Sequence, residues 1–412
     1  MYPRTLGQTI HAVSGQFPAL LLTGPRQVGK TTLLEMCAQA EAAGTRGYVT
    51  LDDLEARSLA QRDPVLFFQN WPPPLIIDEI QYAPQLFSVM KIMIDRDPRN
   101  GLFWMTGSQK FHLMRGITES LAGRVAILDL LGFSHAELTG RATASRPFVP
   151  TQAWIAGARS RSGSPPARLT DIYQRIWLGA YPRLIEQGSA ARAVFYRSYV
   201  QTYIQRDVQD LLRVSDQTAF NRFLTAVAAR TGQLLNFANL ARDVDIDNKT
   251  VKSWLSILET SGLIYLLPPY HTNLTKRLVK TPKLYFLDTG LASYLTKWPD
   301  AASLEAGSLS GAILETWLVA EILKSYWHNG HEAPLHFYRD TDQKEIDLLI
   351  GSGDTLYPVE FKKTASPSRD GVRRFATLGK LGKEIGPGAV VCFVERDVPL
   401  SRDVMAIPVS YL

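Results

Sequence analysis

Short apolar runs recur through the first third of the chain, separated by stretches with helical spacing. Ala19-Leu20-Leu21-Leu22 predicts a buried strand. Thr32 to Ala43 predicts a helix, with Leu33, Leu34 and Cys37 on one face and Gly44 as its stop. Further strands are expected near residues 47–52, 74–78, 102–107 and 125–131. This alternation predicts a parallel α/β sheet with right-handed crossovers, which binds ligands at the carboxyl ends of its strands. From Arg141 to Arg168 the pattern gives way to repeated Ser, Gly and Pro, including Ser162-Gly163-Ser164-Pro165-Pro166, and a loop or linker is expected. Helical spacing resumes from about Asp171 to Leu212, interrupted at Gly179-Ala180-Tyr181-Pro182. Phe237, Leu240, Ala241 and Val244 then mark one helix face, and Val251, Trp254, Leu255 and Leu258 a second. Asp245-Ile246-Asp247 is the turn between them, with Asp247 as N-cap and Gly262 as the final stop. Leu263 to Leu267 follows as a strand. Two short helices and a strand ribbon predict a winged helix. In the last third, a helix is expected over about Ala312 to Tyr326, then a hairpin of Leu348-Leu349-Ile350 and a strand starting near Leu356.

Composition bounds the class. The 412 residues suggest two or three domains, and 45% hydrophobic content is that of a globular protein. We expect boundaries at 1–140, 141–283 and 284–412. Cys37 and Cys392 lack metal spacing and read as reduced thiols of a cytoplasmic protein. No signal-peptide core opens the chain, and no apolar run approaches the ~18 residues of a membrane span. The net charge of +6 is unevenly spread. Residues 1–140 carry 12 basic and 13 acidic side chains, residues 141–283 carry 20 and 9, and residues 284–412 carry 13 and 17. The excess positive charge therefore sits in the middle segment. That suggests a polyanion partner, or a solvated basic surface.

The sharpest chemistry is Gly24-Pro25-Arg26-Gln27-Val28-Gly29-Lys30-Thr31, which fits G-x-x-x-x-G-K-[ST] between a strand and a helix. That geometry aims backbone N–H groups and a helix N-terminus at phosphate oxygens. Lys30 would reach the β- and γ-phosphates, Thr31 would ligate Mg²⁺, and Thr32 continues the cradle. Pro74-Leu75-Ile76-Ile77-Asp78-Glu79 is an apolar strand ending in two acids. Asp78 is expected to hold Mg²⁺, and Glu79 to act as general base on the attacking water. Ser108, just past a third strand, would orient that water or touch the γ-phosphate. Arg124, in Leu121-Ala122-Gly123-Arg124, is either an arginine finger toward a neighbouring subunit or a strand-edge arginine.

These motifs, with Leu51-Asp52-Asp53, Asp63-Pro64, Thr106-Gly107-Ser108, Arg206-Asp207 and Lys283 to Gly290, resemble the AAA-type ATPases of bacteria and archaea. In those, the ATPase precedes a domain of unknown function. The resemblance implies an AAA+ P-loop core of strand order 5-1-4-3-2, then a helical lid with winged helix, then a small α/β domain. It also implies that Tyr181 and Pro182 pack beside the adenine, although a plain helix-breaking turn explains them equally.

Asn248, Lys249, Lys252 and Ser253 fall on the outer face of the second helix of the winged helix, where such modules contact DNA. Lys276, Arg277, Lys280 and Lys283 follow in the ribbon and would grip phosphates. The competing reading is a winged helix that packs on neighbouring subunits. In the last third, Asp347, then Glu360-Phe361-Lys362, with Glu315 on the preceding helix, resemble the PD-(D/E)xK nuclease fold, except that Ile346 stands where proline is usual. Strand alternation puts Glu360 and Lys362 on one face. In that fold Asp347 and Glu360 would share a Mg²⁺ ion, with Glu315 as a further ligand, although many such domains cleave nothing. The combined expectation is an ATP- and Mg²⁺-dependent ATPase acting on branched or single-stranded DNA as a homo-oligomeric ring such as a hexamer. The alternatives are a regulatory ATPase switch for a protein partner and a DNA-binding regulator with vestigial hydrolysis.

Overall fold

A computed structural model describes all residues except 1, 42–45, 109–119, 162–165, 205–216, 272–280, 341 and 370. The chain forms two compact units. The first comprises Met1–Phe133 with Thr260–Gly262 and Trp327–His331, and the second comprises the remainder.

In the first unit, where inner parallel strands are covered on both faces and wholly buried, five short strands form one sheet. They are β1 (Ala19–Thr23), β2 (Gly47–Thr50), β3 (Leu75–Asp78), β4 (Phe103–Thr106) and β5 (Val125–Asp129). The sheet order is β2-β3-β4-β1-β5 and every pairing is parallel. This is the expected 5-1-4-3-2 order. Each strand pair needs a crossover, which the helices Lys30–Ala40, Leu54–Arg62 and Leu86–Arg96 help to supply. The core gathers Leu21, Ile77, Phe67, Phe87, Met90, Phe103 and Met105. The helix expected from Thr32 begins two residues earlier, at Lys30, and its expected stop at Gly44 lies outside the described residues.

The second unit holds two sheets. In the smaller, β6 (Gln233–Leu234), β7 (Ile264–Leu267) and β8 (Lys283–Phe286) pair antiparallel in the order β6-β8-β7. Helices Phe237–Val244 and Asn248–Thr260 lie between β6 and β7 in sequence and bury the apolar faces expected of them. Asp247 caps the second helix, its carboxylate accepting from the backbone N–H groups of Lys249 and Thr250 at 2.8 and 3.0 Å. Because β8 pairs along its length with β7, an expected boundary after Lys283 would cut a strand of this sheet.

The larger sheet is mixed. Strands β9 (Leu335–Arg339), β10 (Glu345–Ser352) and β11 (Thr355–Phe361) form an antiparallel meander. Then β11 pairs parallel with the strand Gly388–Cys392, which in turn pairs parallel with the strand Val404–Pro408. The long buried helix Ser310–Trp327 precedes this sheet.

The stretch from Arg141 to Arg168, expected as a loop, contains a helix, Gln152–Arg161. Only Ile155 and Ala158 of that helix are buried, so its sequence carries almost no apolar period. The Ser162 to Pro165 run lies outside the described residues.

Candidate nucleotide site

The phosphate loop joins β1 to the helix Lys30–Ala40 at the carboxyl edge of the sheet. Gly24 has φ +138°, and a Cβ there would stand 2.0 Å from the Leu130 carbonyl oxygen, so only glycine lets the loop pass β5 this closely. Gly29 sits at φ 89°, at the helix start, and no side chain caps that N-terminus. A helix N-terminus that follows a glycine loop is the anion-binding arrangement of a phosphate loop. Arg4 steadies the loop, donating to the Val28 carbonyl at 3.0 Å and the Leu131 carbonyl at 2.6 Å. Pro25 and Val28 are buried, whereas Arg26 and Gln27 face outward to a greater degree. Lys30 Nζ folds over the loop, donating to the carbonyls of Gly24 and Pro25 at 3.0 and 2.9 Å.

Asp78 ends β3 beside this loop and is buried. Thr31 Oγ1 donates to its Oδ1 at 2.7 Å. A hydroxyl and a carboxylate at that spacing are hard oxygen donors of the kind Mg²⁺ prefers, so the donor set fits the ion. Thr106, the last residue of β4, donates to the same Asp78 oxygen at 2.5 Å and accepts from the Glu79 amide at 3.0 Å. Glu79 adopts a left-handed backbone, φ 55° and ψ 47°. That turns its carboxylate toward Ser108, whose hydroxyl donates to it at 3.3 Å, and toward the Gln81 amide, which bonds the same oxygen. Tyr48 on β2 approaches Asp78 at 3.5 Å, and its phenol is pushed up to about 12 by burial and then by Asp78. Thr106, Gln81 and Tyr48 were not evident from the sequence. Strand register alone brings Thr106 and Tyr48 to the acids, whereas Gln81 reaches Glu79 across the turn that follows β3.

Arg124 precedes β5 at the opposite end of the sheet. Its carbonyl accepts from the amide of Ala19, where β1 begins, and its guanidinium pairs with Asp95 at 2.8 Å. Five residues of β1 separate it from the phosphate loop, roughly 16 Å at strand spacing. Arg124 therefore does not serve the site of its own chain.

Tyr181 is 2% exposed, its ring enclosed by Phe195 at 5.2 Å and Tyr199 at 4.9 Å, with Tyr196 edge-on. Covered on its faces by aromatic neighbours of its own unit, the ring does not offer a surface for an adenine. Pro182 opens the helix Pro182–Gln187, and Gly179 turns at φ 89°. Of the two expectations for this tetrapeptide, the helix-breaking turn is the one realised.

In the second unit, Glu360 is fully buried. Its Oε2 accepts from Lys362 Nζ at 2.6 Å, while Oε1 has no hydrogen-bond partner. Asp347 Oδ2 accepts from the Phe361 amide at 2.9 Å, which brings the two acids together across β10 and β11. Burial, then the Asp347 charge, push the Glu360 carboxyl up to about 7. Lys362 is raised by Asp347 and Glu360 although burial opposes it, because Asp347 repels a carboxylate and attracts an ammonium. Glu315 departs from the expected metal-ligand role. Its Oε1 accepts from Lys283 Nζ at 2.8 Å and from the Tyr285 hydroxyl at 2.7 Å, and Lys283 also pairs with Glu345 at 2.6 Å. The buried ammonium of Lys283, from β8, is thus the cation paired with Glu315. Among the described residues no group of three or more His, Cys, Asp or Glu side chains is placed to hold a metal ion.

Lys249 and Lys252 are exposed on the helix Asn248–Thr260. Lys276, Arg277 and Lys280 lie outside the described residues.

Residues 16–139 match the family described as an AAA domain. Residues 169–302 and 310–412 match two domains of unknown function, DUF8612 and DUF4143. Uncharacterized proteins of Mycobacterium tuberculosis and Mycobacterium bovis are each 29% identical over 396 residues, 96% of this chain and 81% of theirs. Among solved structures, the Walker-type ATPase of Pyrococcus abyssi is 15% identical with a TM-score of 0.44, over 72% of this chain and 96% of that one. A RuvB protein of Thermotoga maritima is 18% identical with a TM-score of 0.32, over 64% of this chain and 87% of that one. The matches to residues 16–139 and 310–412 support an AAA-type ATPase family, in agreement with the parallel sheet and its phosphate loop.

Proposed function

We propose that this chain hydrolyses ATP and uses the turnover to act on branched or single-stranded DNA, assembled as a homo-oligomeric ring. The observation that carries the ATPase half is the constellation at the carboxyl edge of the first sheet, where Thr31, Asp78, Thr106, Glu79 and Ser108 form one hydrogen-bonded chain beside the phosphate loop. The loop amides and Lys30 bind the phosphates. Thr31 and Asp78 would hold Mg²⁺, whose charge neutralises the β- and γ-phosphate oxygens when bound. Glu79, held by Ser108 and Gln81, accepts a proton from the attacking water.

The DNA half rests on the β6-β8-β7 sheet and its helices, which have the element order of a winged helix, and on the exposed Lys249 and Lys252 near the start of the second helix. The large mixed sheet supports a nuclease-like reading of the last segment: a helix, a three-stranded meander and a parallel strand present Asp347, Glu360 and Lys362 together. With Lys283 against Glu315, that domain is read as a docking fold before a cutting one.

ATP turnover measured with and without single-stranded, duplex and four-way-junction DNA tests the reading, with Lys30→Ala as the zero. Stimulation by one of these substrates supports it. Turnover indifferent to all three transfers the chain to the regulatory, protein-partnered class, and turnover absent throughout leaves a DNA-binding regulator.

A further inference from the structure

The second unit contains a pocket remote in sequence from the phosphate loop, lined by Arg141, Arg146, Arg161, Ser145, Trp154 and Tyr411. Arg141 and Arg146 flank the turn Ala142–Ala144, and Trp154 and Arg161 stand on the helix Gln152–Arg161. Gly157 makes room for the last of these, since a Cβ there would meet the Arg161 guanidinium at 2.7 Å.

Several donors in this pocket lack a charged acceptor. Arg141 donates through Nε to Thr139 Oγ1 at 3.0 Å, and Arg146 to the carbonyls of Thr143 and Ser145 at 3.1 and 2.7 Å. Arg161 has no hydrogen-bond or ion-pair partner among the described residues, and Trp154 Nε1 is buried without an acceptor. The side-chain carboxylate in the lining, Glu321, is already engaged by the His135 amide at 2.6 Å and by Lys324 at 2.8 Å, and Leu412, the last residue of the sequence, lines the pocket beside it. Nearby Asp397 is held by Arg159 and by the Tyr411 hydroxyl. Burial, then Arg161 and Arg175, draw the Arg141 guanidinium down to about 10, and burial with Arg146 lowers Arg161. Like charges crowded beside an unpaired indole N–H are unfavourable until an anion with several acceptor oxygens enters. Planar guanidinium forks match phosphate oxygens two at a time.

We propose that this pocket binds a phosphate group, held by the forks of Arg141, Arg146 and Arg161 with Trp154 Nε1 as a further donor. The phosphate comes either from a small phosphorylated molecule or from the backbone of a nucleic-acid strand.

The test uses the full chain carrying Lys30→Ala, so that the phosphate loop does not contribute. Calorimetric titration is run with pyrophosphate in one arm and a short single-stranded oligonucleotide in the other. We expect saturable binding of at least one probe, weakened about tenfold or more by Arg161→Gln and by Arg141→Gln, and less by Arg161→Lys, which keeps charge without the fork. Binding of pyrophosphate assigns the pocket to a small phosphorylated ligand, and binding of the oligonucleotide alone assigns it to a strand. The ligand-free Arg161→Gln protein should melt no lower than its parent, because it loses a charge that has no partner among the described residues. Titrations that do not saturate, or affinities untouched by both Gln variants, overturn the proposal. So does a lower melting temperature of ligand-free Arg161→Gln, which would make the arginine a structural support.

Discussion

Thr106 links the two acids of the ATPase site. Its hydroxyl donates to Asp78 and receives the Glu79 amide, so it fixes both the Mg²⁺-side carboxylate and the turn that aims the base. Thr106→Val keeps the shape and removes both bonds. It should cost about 1–3 kcal/mol, the range for leaving buried polar partners unpaired, and slow turnover without abolishing ATP binding. Melting temperature and ATPase rate together check this, and an unchanged rate would dissociate Thr106 from the site. Glu79→Gln should retain ATP and lose roughly 10²–10⁴-fold in rate, as removal of a general base does. Nucleotide titration beside single-turnover hydrolysis reads both. In the second unit, Glu360 titrates near 7 in the fold against an ordinary 4.5. Its folded value is raised, so the protonated form is the one the fold favours. Stability is fully present below about 4.5 and falls as pH rises through about 7. Glu360→Gln should flatten that fall, and urea midpoints at pH 5 and pH 8 in divalent-free buffer would show it. Equal pH dependence in both proteins would exclude this carboxyl as the titrating group. Lys30, Thr31, Asp78, Glu79 and Ser108 were readable because each stands at a motif position or a strand end. Thr106 and Gln81 were not, because their hydrogen bonds join segments 27 or 28 residues apart, or run to a glutamate beyond the end of its strand.

Elements with a strong period were legible, and those without one were not. Strands β1, β3 and β4 announced themselves as apolar runs because the inner strands of a parallel sheet are buried on both faces. Helices Phe237–Val244 and Asn248–Thr260 carried full apolar stripes and a capping aspartate. The helix Gln152–Arg161 was hidden, since it buries only Ile155 and Ala158 and its other positions serve the arginine pocket and the surface. Tyr181 misled for the opposite reason: a short motif resembling an adenine-side turn is a turn stapled by aromatic packing within its own unit. The capping of Asn248–Thr260 gives a prediction at this scale. Asp247→Ala removes acceptors from Lys249 N and Thr250 N and should cost about 1 kcal/mol. If Lys249 and Lys252 contact DNA, fraying their helix should weaken DNA binding while basal ATP turnover stays as it was. Paired fluorescence-anisotropy and ATPase assays decide this, and DNA affinity unmoved by Asp247→Ala and by Lys249→Glu with Lys252→Glu would relocate the contact.

At the scale of the whole molecule, two asymmetries meet. Residues 141–283 carry 20 basic against 9 acidic side chains, while both flanking segments are mildly acidic. Binding to a polyanion through this segment should fall steeply with salt, because each phosphate neutralised releases a counterion. The second asymmetry lies within the first sheet, where Arg124 stands at the amino end of β5 and the phosphate loop at the carboxyl end of β1. An arginine there, paired to Asp95 and partly exposed, is too far from its own site and is displayed at the edge of the sheet. If a neighbouring copy presents its nucleotide to that edge, Arg124 completes the neighbour's site and the isolated chain is a poor ATPase. Arg124→Ala and Glu79→Gln would then each be inactive alone, for different reasons. In a mixed assembly an Arg124→Ala subunit keeps its base, and a Glu79→Gln neighbour lends its arginine, so some sites regain both. Mixing the two proteins should restore a fraction of wild-type turnover that rises with total concentration. Light scattering establishes that they co-assemble. Co-assembly without recovered activity would leave Arg124 as an edge residue held by Asp95, and the ring would have to be completed by another group.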